Sequence, residues 1–162
     1  MTEFVLVHGT TQSPAGWDRL ADELRGRGHG ATAIDLPAGK PEWGPAGYAR
    51  HAAAQASQAG DGPVVAAHSG AGVLLPAIAA AVGAAAAVWV AAYVPDLAGG
   101  ASMLDDIKTR RDVMFHPDWL GVDPASDPQL ALRFLFHDCV PRTQQWALGT
   151  LRPFNPGPPV YQ

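Results

Sequence analysis

The sequence predicts an α/β fold built on a mainly parallel sheet of about four strands. Short apolar runs rich in valine and alanine alternate with stretches of helical spacing, and Gly or Pro residues separate them. The first run, Glu3–Val7, is almost wholly apolar, as expected of a strand that is covered on both faces. Because strand and helix alternate along the chain, right-handed crossovers and parallel strands are expected.

Residues that break regular structure set the ends of the predicted elements. Ser13 and Pro14 are typical of a helix start, and two glycines follow that helix. Pro37 closes the second strand, and a Gly-Asp-Gly turn leads into the third strand, which ends at Ser69. The other predicted strands cover residues 3–7, 31–36 and 86–94, and the predicted helices cover residues 14–25, 48–58 and 70–82.

The pattern changes after Pro95. Three short helices are predicted at residues 103–114, 128–137 and 143–151, with prolines between them and no further strand. The last ten residues include four prolines and are expected to be irregular or extended. The sequence therefore divides into an α/β core (1–100), a helical cap segment (101–152) and a Pro-rich C-terminal tail (153–162).

Composition argues against several classes of protein. A net charge of -4 without a basic cluster argues against nucleic-acid binding. The uncharged stretch 73–95 is interrupted by Pro76 and Gly83, so no membrane span is expected. Cys139 is the only cysteine, which fits a reducing cytosol. No basic and apolar leader precedes the first strand. We expect a cytoplasmic protein that binds a small-molecule substrate and uses no metal or other cofactor.

Residues 63–72 contain the first candidate for chemistry. Apolar residues run directly into Ser69, and a helix-forming segment follows at once. A nucleophilic serine at such a turn has a strained backbone, so the residues two before and two after it must be small. They are Ala67 and Ala71, and not the two glycines of the G-x-S-x-G motif. The pattern is typical of a nucleophile elbow, but a small-residue turn in an Ala-rich protein gives the same pattern.

These motifs together resemble the α/β-hydrolase superfamily, in its plant-type esterase and hydroxynitrile-lyase branch, which is related to bacterial salicylate esterases. The resemblance implies that Ser69 is the nucleophile of an enzyme acting on a small ester, lactone or other carbonyl compound. It also implies that the backbone N–H groups of Thr10 and Gly70 form an oxyanion hole. The residues that carry it are Phe4 to Thr10, the helix of Trp17, Asp35 to Pro37, Ala67 to Gly72, Tyr93 to Pro95, Phe136 to Cys139, Trp146, and Leu151 to Pro153.

The sequence departs from this family at the catalytic acid and base. The family order is Ser, then Asp or Glu, then His, and the last two follow further strands. This chain stops where the next of those strands is expected, so the triad is incomplete. We therefore expect a C-terminally truncated α/β-hydrolase fold.

Other residues are candidates for supporting roles at the site. His68 adjoins Ser69, but neighbouring side chains of a strand point to opposite faces, so His68 is not expected to face the Ser69 hydroxyl. His8 is expected to support the following loop from below. Asp96 has the position of an acid in some hydrolases and is also typical of a loop cap. The remaining tentative pocket residues are Thr11 in that loop and His116 and His137 in the cap segment.

Three functions stay open from the sequence. The first is a serine hydrolase of the carboxylic ester type. The second is a triad-free cyclase or lyase that uses the same pocket and oxyanion hole. The third is a non-catalytic ligand-binding or interaction protein. Under each of them, the missing strands leave the apolar edge of strand 86–94 uncovered, which predicts a homodimer or a larger homo-oligomer.

Overall fold

The computed structural model describes residues 1–119 and 121–162. Four parallel strands form one sheet in the order β2-β1-β3-β4. The strands are β1 (Glu3–Val7), β2 (Gly30–Ile34), β3 (Val64–Ser69) and β4 (Ala86–Ala92). The predicted sheet of about four parallel strands is confirmed, and β2 and β4 are its two edges.

The helices follow the predicted order. They are α1 (Asp18–Gly26), α2 (Pro45–Gln55), α3 (Leu75–Ala81), α4 (Met103–Met114), α5 (Pro128–Phe134) and α6 (Pro141–Leu148). Short 3-10 helices precede α1 at Pro14–Trp17 and α3 at Gly70–Val73. No helix among the described residues combines the length and the apolar character needed to cross a membrane.

Three helices begin at a proline, and this shifts two of the predicted boundaries. Pro45, Pro128 and Pro141 each occupy the first turn of a helix, where the missing N–H costs no hydrogen bond and the fixed φ suits the helix. The structure therefore starts α2 and α6 earlier than the sequence pattern predicted, while the start of α5 was predicted correctly.

The core lies on both faces of the sheet. Val5 and Val7 of β1 are fully buried on the face covered by α2 and α3, together with Tyr48. Leu6 points to the other face and packs with Trp17, beside α1. Because β1 and β3 are both interior strands, their side chains are apolar on the two faces, which explains the continuous apolar runs.

The edge strand β4 is covered less completely. Trp89 points to the α3 face and packs against the core there. Val88 and Val90 point to the opposite face, and 42% and 38% of their surfaces are exposed. Gly16 and Trp17 of the 3-10 helix line a recess together with Val90, but they leave both valines more than a third exposed.

The C-terminal tail packs against the core. Phe154 and Val160 are each only 1% exposed. The ring of Phe154 meets the rings of His8 and Tyr48 edge to face, at centroid distances of 5.3 and 5.7 Å. Apart from a 3-10 helix at Pro158–Val160, the tail is irregular, as the prolines predicted.

Candidate active site

Ser69 stands at the carboxyl end of β3, directly before the 3-10 helix Gly70–Val73. Its φ of 56° and ψ of -134° are unusual for a residue with a side chain, and such a conformation costs about 1–3 kcal/mol. Ala67 and Ala71 are 0% and 1% exposed, so a larger side chain at either position would have no room. The predicted succession of strand, sharp turn and helix is present.

The loop after β1 passes so close to Ser69 that only glycine fits at the contact. A Cβ atom on Gly9 would lie 2.8 Å from the Cβ of Ser69. A Cβ atom on Gly70 would lie 2.8 Å from Cγ2 of Thr10. Within the described part of the chain, the backbone N–H of Thr10 has no hydrogen-bond acceptor. An unpaired amide donor therefore belongs to the loop beside Ser69.

A second stretch of chain, the C-terminal segment (residues 150–154), holds this loop in place. Gln12 and Leu151 form an antiparallel bridge. The N–H of Phe154 donates to the Thr10 carbonyl at 2.6 Å, and the N–H of Arg152 donates to the Thr11 carbonyl at 3.2 Å. These two hydrogen bonds fix the peptide groups that join Thr10 to Thr11 and Thr11 to Gln12.

His68 is connected to the same loop through Gln12. Its Nδ1 lies 2.7 Å from Oε1 of Gln12, and the N–H of Gly9 donates to that oxygen at 3.3 Å. Since an amide oxygen only accepts hydrogen bonds, Nδ1 of His68 carries the proton and Nε2 has a free lone pair. Burial lowers the pKa of His68, so the ring is neutral at pH 7. Nothing in the sequence distinguished Gln12 from other polar loop residues.

Ser69 and the neighbouring loop open onto a cavity of about 610 Å3. Thr10, Thr11, Ser69 and Gly70 lie on its polar side, together with His68. Cavities of this size typically bind small molecules. The opposite side is mostly apolar and is formed by Val94, Met103, Ile107, Met114, Phe115, Trp119 and Leu135.

One wall of the cavity is polar and connects β4 with α4. The backbone N–H of Tyr93 donates to the Ser69 carbonyl at 3.0 Å. The Tyr93 hydroxyl donates to Oδ2 of Asp106 at 2.8 Å, and Arg110 lies 3.6 Å from the same carboxylate. Burial and this hydrogen bond raise the pKa of Tyr93 to about 12. Tyr93 therefore stays protonated and ties α4 to the turn at Ser69.

His8 is buried at the end of β1. Its Nδ1 donates to the Gly9 carbonyl at 2.9 Å, and its Nε2 accepts from the N–H of Leu36 at 3.1 Å. Burial lowers the pKa of His8, which keeps the ring neutral. His8 thus links the ends of β1 and β2 and does not line the cavity.

The structure does not bring Asp96, His116 or His137 to the cavity formed by the described residues. Asp96 is exposed and accepts hydrogen bonds from three backbone N–H groups of its own loop, which lower its pKa. His116 and His137 are both exposed. Across the described residues, no hydrogen bond joins the Ser69 hydroxyl to a base, and no cluster of three metal-ligating side chains occurs.

The aromatic residues are divided between the cavity and the interior. Phe115 and Trp119 line the cavity, whereas Trp43 and Trp89 pack against the core. Phe134 packs against Trp119 from behind, at a centroid distance of 5.4 Å. About half of the residues that line the cavity belong to α4 or follow it.

Comparison with known protein families gives a match over almost the whole chain. The sequence model described as "Alpha/beta hydrolase family" matches residues 4–161. No curated protein gives a significant match.

Solved structures show the same fold at low sequence identity. Polyneuridine aldehyde esterase aligns with a TM-score of 0.72 and 19% identity, over 99% of this chain and 70% of that chain. An extracellular α/β-hydrolase from a Paenibacillus species, described as a structural and functional homologue of tobacco Salicylic Acid Binding Protein 2, aligns with a TM-score of 0.69 and 17% identity, over 100% and 70%. Tomato Methylketone Synthase I, complexed with 2-tridecanone, aligns with a TM-score of 0.68 and 17% identity, over 94% and 67%.

Proposed function

The chain belongs to the α/β-hydrolase family, as its motifs predicted, and from this we propose that it acts on a small ester, lactone or other carbonyl compound with Ser69 as the nucleophile. One observation carries the proposal. The strained turn at Ser69 and the loop with the unpaired Thr10 N–H are in contact and open onto the same cavity. In this proposal the turn is a nucleophile elbow.

The proposed chemistry begins with attack of the Ser69 hydroxyl oxygen on the substrate carbonyl carbon. The carbonyl oxygen then gains negative charge, and the backbone N–H groups of Thr10 and Gly70 stabilise it as an oxyanion hole. The Gly9 carbonyl, which shares a peptide group with the Thr10 N–H, accepts hydrogen bonds from Nδ1 of His8 at 2.9 Å and from the N–H of Gln12 at 3.3 Å. The Thr10 donor therefore needs little rearrangement as the charge develops. Loss of a single donor of this kind typically slows catalysis about 10²–10³-fold.

Hydrolysis also needs a base that takes the proton of the Ser69 hydroxyl. Among the described histidines, His68 alone lines the cavity, and its Nε2 has a free lone pair. Its Nδ1 is held by Gln12, and no hydrogen bond joins it to Ser69. The hydrolytic reaction therefore needs either a movement of His68 or a base from outside the described residues.

The unbonded Ser69 hydroxyl favours a second candidate, a triad-free cyclase or lyase. In that reaction the two amide donors polarise a substrate carbonyl, and Ser69 donates a hydrogen bond without forming a covalent intermediate. The apolar wall formed by α4 and by residues outside that helix such as Phe115, Trp119 and Leu135 supports a substrate with an apolar or aromatic group under either candidate.

Cellular location and assembly are further parts of the proposal. The single free Cys139 supports a cytoplasmic protein. The uncovered edge at β4 supports a homodimer or a larger homo-oligomer. We also propose that residues 101–152 act as a helical cap, because several cavity walls come from that stretch.

A fluorophosphonate probe tests the hydrolase proposal. The intact mass of the protein is measured after incubation with the probe, for the wild type and for Ser69→Ala and Ser57→Ala. Ser57 is an exposed serine just after α2 and serves as the matched control. We expect one adduct in the wild type and in Ser57→Ala, and none in Ser69→Ala.

The other outcomes separate the remaining functions. A folded wild type that takes up no probe contradicts the hydrolase proposal. Carbonyl-substrate turnover that survives Ser69→Ala would then favour the cyclase or lyase. Affinity for such compounds without turnover would favour a non-catalytic binding protein.

A further inference from the structure

The outer edge of β4 lacks most of the features that usually prevent strand pairing. Among the described strands, β4 pairs with β3 alone, and none lies on its other side. Natural edge strands are commonly protected by lysine, proline, an inward-pointing charge or a bulge. The strand Ala86–Ala92 contains no charged residue and no proline. Its one irregularity is near the carboxyl end, where the pairing with β3 shifts and Ala91 has a φ of 43°.

The sequence of β4 is self-complementary. Its seven residues, Ala-Ala-Val-Trp-Val-Ala-Ala, read the same in both directions around Trp89. When two copies pair antiparallel about a two-fold axis at Trp89, Val88 of one copy lies opposite Val90 of the other. The outer positions then bring alanine opposite alanine. No like charges meet, and every facing pair is of matching or similar size.

We infer that β4 pairs antiparallel with β4 of a second copy of this chain, centred on Trp89. The two four-stranded sheets then form one continuous sheet of eight strands. The inference specifies how the homo-oligomer proposed above is built, and it does not depend on the chemistry at Ser69. Because Ala91 distorts the carboxyl end of the strand, Val88 to Val90 form the centre of the interface.

The two-fold axis of such a pair is perpendicular to the sheet, so equivalent faces of the two copies lie on the same side. Val88 and Val90 of both copies then form one cluster of four valines on the α1 side. Each of these side chains is more than a third exposed in a single copy. Their mutual contact removes apolar surface from water, and this favours the dimer.

The antiparallel direction also determines where the two cavities lie. Ser69 is at the carboxyl end of β3, next to the carboxyl end of β4. In the dimer this end lies beside the amino end of the partner's β4. The two cavities therefore open at opposite edges of the joined sheet, and the second copy bound in this way supplies no base to Ser69.

Disulfide cross-linking tests the register directly. In a Cys139→Ser background, Val88→Cys and Val90→Cys are prepared separately, oxidised alone and as a 1:1 mixture, and analysed by intact mass. Since residue 88 faces residue 90 of the other copy, we expect a cross-linked dimer mainly in the mixture. Residues 88 of the two copies are out of register by two positions, so each variant alone should cross-link poorly.

A charge variant tests the interface without cysteines. Val90→Lys is expected to raise the dimer dissociation constant about tenfold or more in sedimentation experiments. Val113→Lys is the matched control, because Val113 is 79% exposed on α4, away from β4. Circular dichroism establishes that every variant is folded.

Three results would overturn the inference: a folded wild type that stays monomeric at every concentration, equal cross-linking of each single variant and the mixture, or equal weakening by the two lysine variants. Each is distinct from failure of the probe reaction. Ser69→Ala should dimerise like the wild type, even if the fluorophosphonate probe labels neither protein.

Discussion

Replacing Gly9 with alanine should disturb the turn at Ser69 through a steric contact of known size. The new Cβ would lie 2.8 Å from the Ser69 Cβ, whereas real Cβ atoms almost never approach closer than 3.0 Å. The two atoms must therefore separate by at least 0.2 Å (3.0 − 2.8), and by 0.6 Å to reach the 3.4 Å of ordinary contact. Both atoms are attached directly to backbone, so no flexible side chain can absorb the shift.

The same methyl group would also press on the pair formed by His68 and Gln12. It would lie 3.1 Å from Nδ1 of His68 and 3.2 Å from Oε1 of Gln12, whose hydrogen bond is 2.7 Å long. Overpacking of this kind typically costs about 1–3 kcal/mol. We expect Gly9→Ala to lower the free energy of unfolding by that amount and to slow probe labelling of Ser69.

Urea unfolding followed by circular dichroism measures the stability, and intact mass measures the labelling rate. Gly26→Ala is the matched control, because no atom lies within 4 Å of a Cβ at the end of α1. Replacing a helical glycine with alanine typically raises the free energy of unfolding by about 0.5–1 kcal/mol, so the stability of this control should be unchanged or higher. The reasoning is refuted if Gly9→Ala matches the wild type in both urea midpoint and labelling rate.

Two further predictions concern stability. Phe154→Ala should lower the free energy of unfolding by about 3–5 kcal/mol, because a buried aromatic ring is removed. In the same urea experiment, Val113→Ala is the control: Val113 is exposed, so its free energy of unfolding should stay within about 0.5 kcal/mol of the wild type. Similar losses for both variants would show that the tail does not belong to the core. The urea midpoint should also fall as the pH is lowered from 7 to 5. Burial lowers the pKa values of His8 and His68 from 6.5, so below pH 6.5 the unfolded chain binds more protons than the folded chain. The stability these rings contribute is complete above pH 6.5 and is lost as the pH falls through their folded pKa values, and a flat profile would contradict their burial as neutral rings.

Local patterns were sufficient to predict most of the fold. The apolar run of β1, the small residues around Ser69 and the glycines that end the helices each reflect an interaction within a few residues. The structure confirms the four strands, although β2 and β4 each end two residues before the predicted limits. The starts of α2 and α6 were predicted less accurately, because the apolar pattern of these helices does not include Pro45 and Pro141, which contribute only a fixed φ.

The site was predictable only where it depends on the turn itself. The contact between Gly9 and Ser69 follows from adjacent parallel strands ending at one edge of the sheet. The pairs His68 with Gln12 and Tyr93 with Asp106 depend on how loops and α4 fold over that edge, and no local pattern records this. For the same reason the sequence favoured His116 and His137 equally, although both are exposed.

The hydrogen bonds of the C-terminal segment have a consequence for the order of folding. Ser13 donates to the carbonyl of Thr150, a residue 137 positions later in the chain. The acceptors and donors that fix the loop therefore do not exist while most of the chain is being synthesised on the ribosome. Contacts of such long sequence separation form slowly. We expect the sheet to assemble first, so that a nascent chain released before residue 150 would have its strands paired while the loop beside Ser69 was still unfixed.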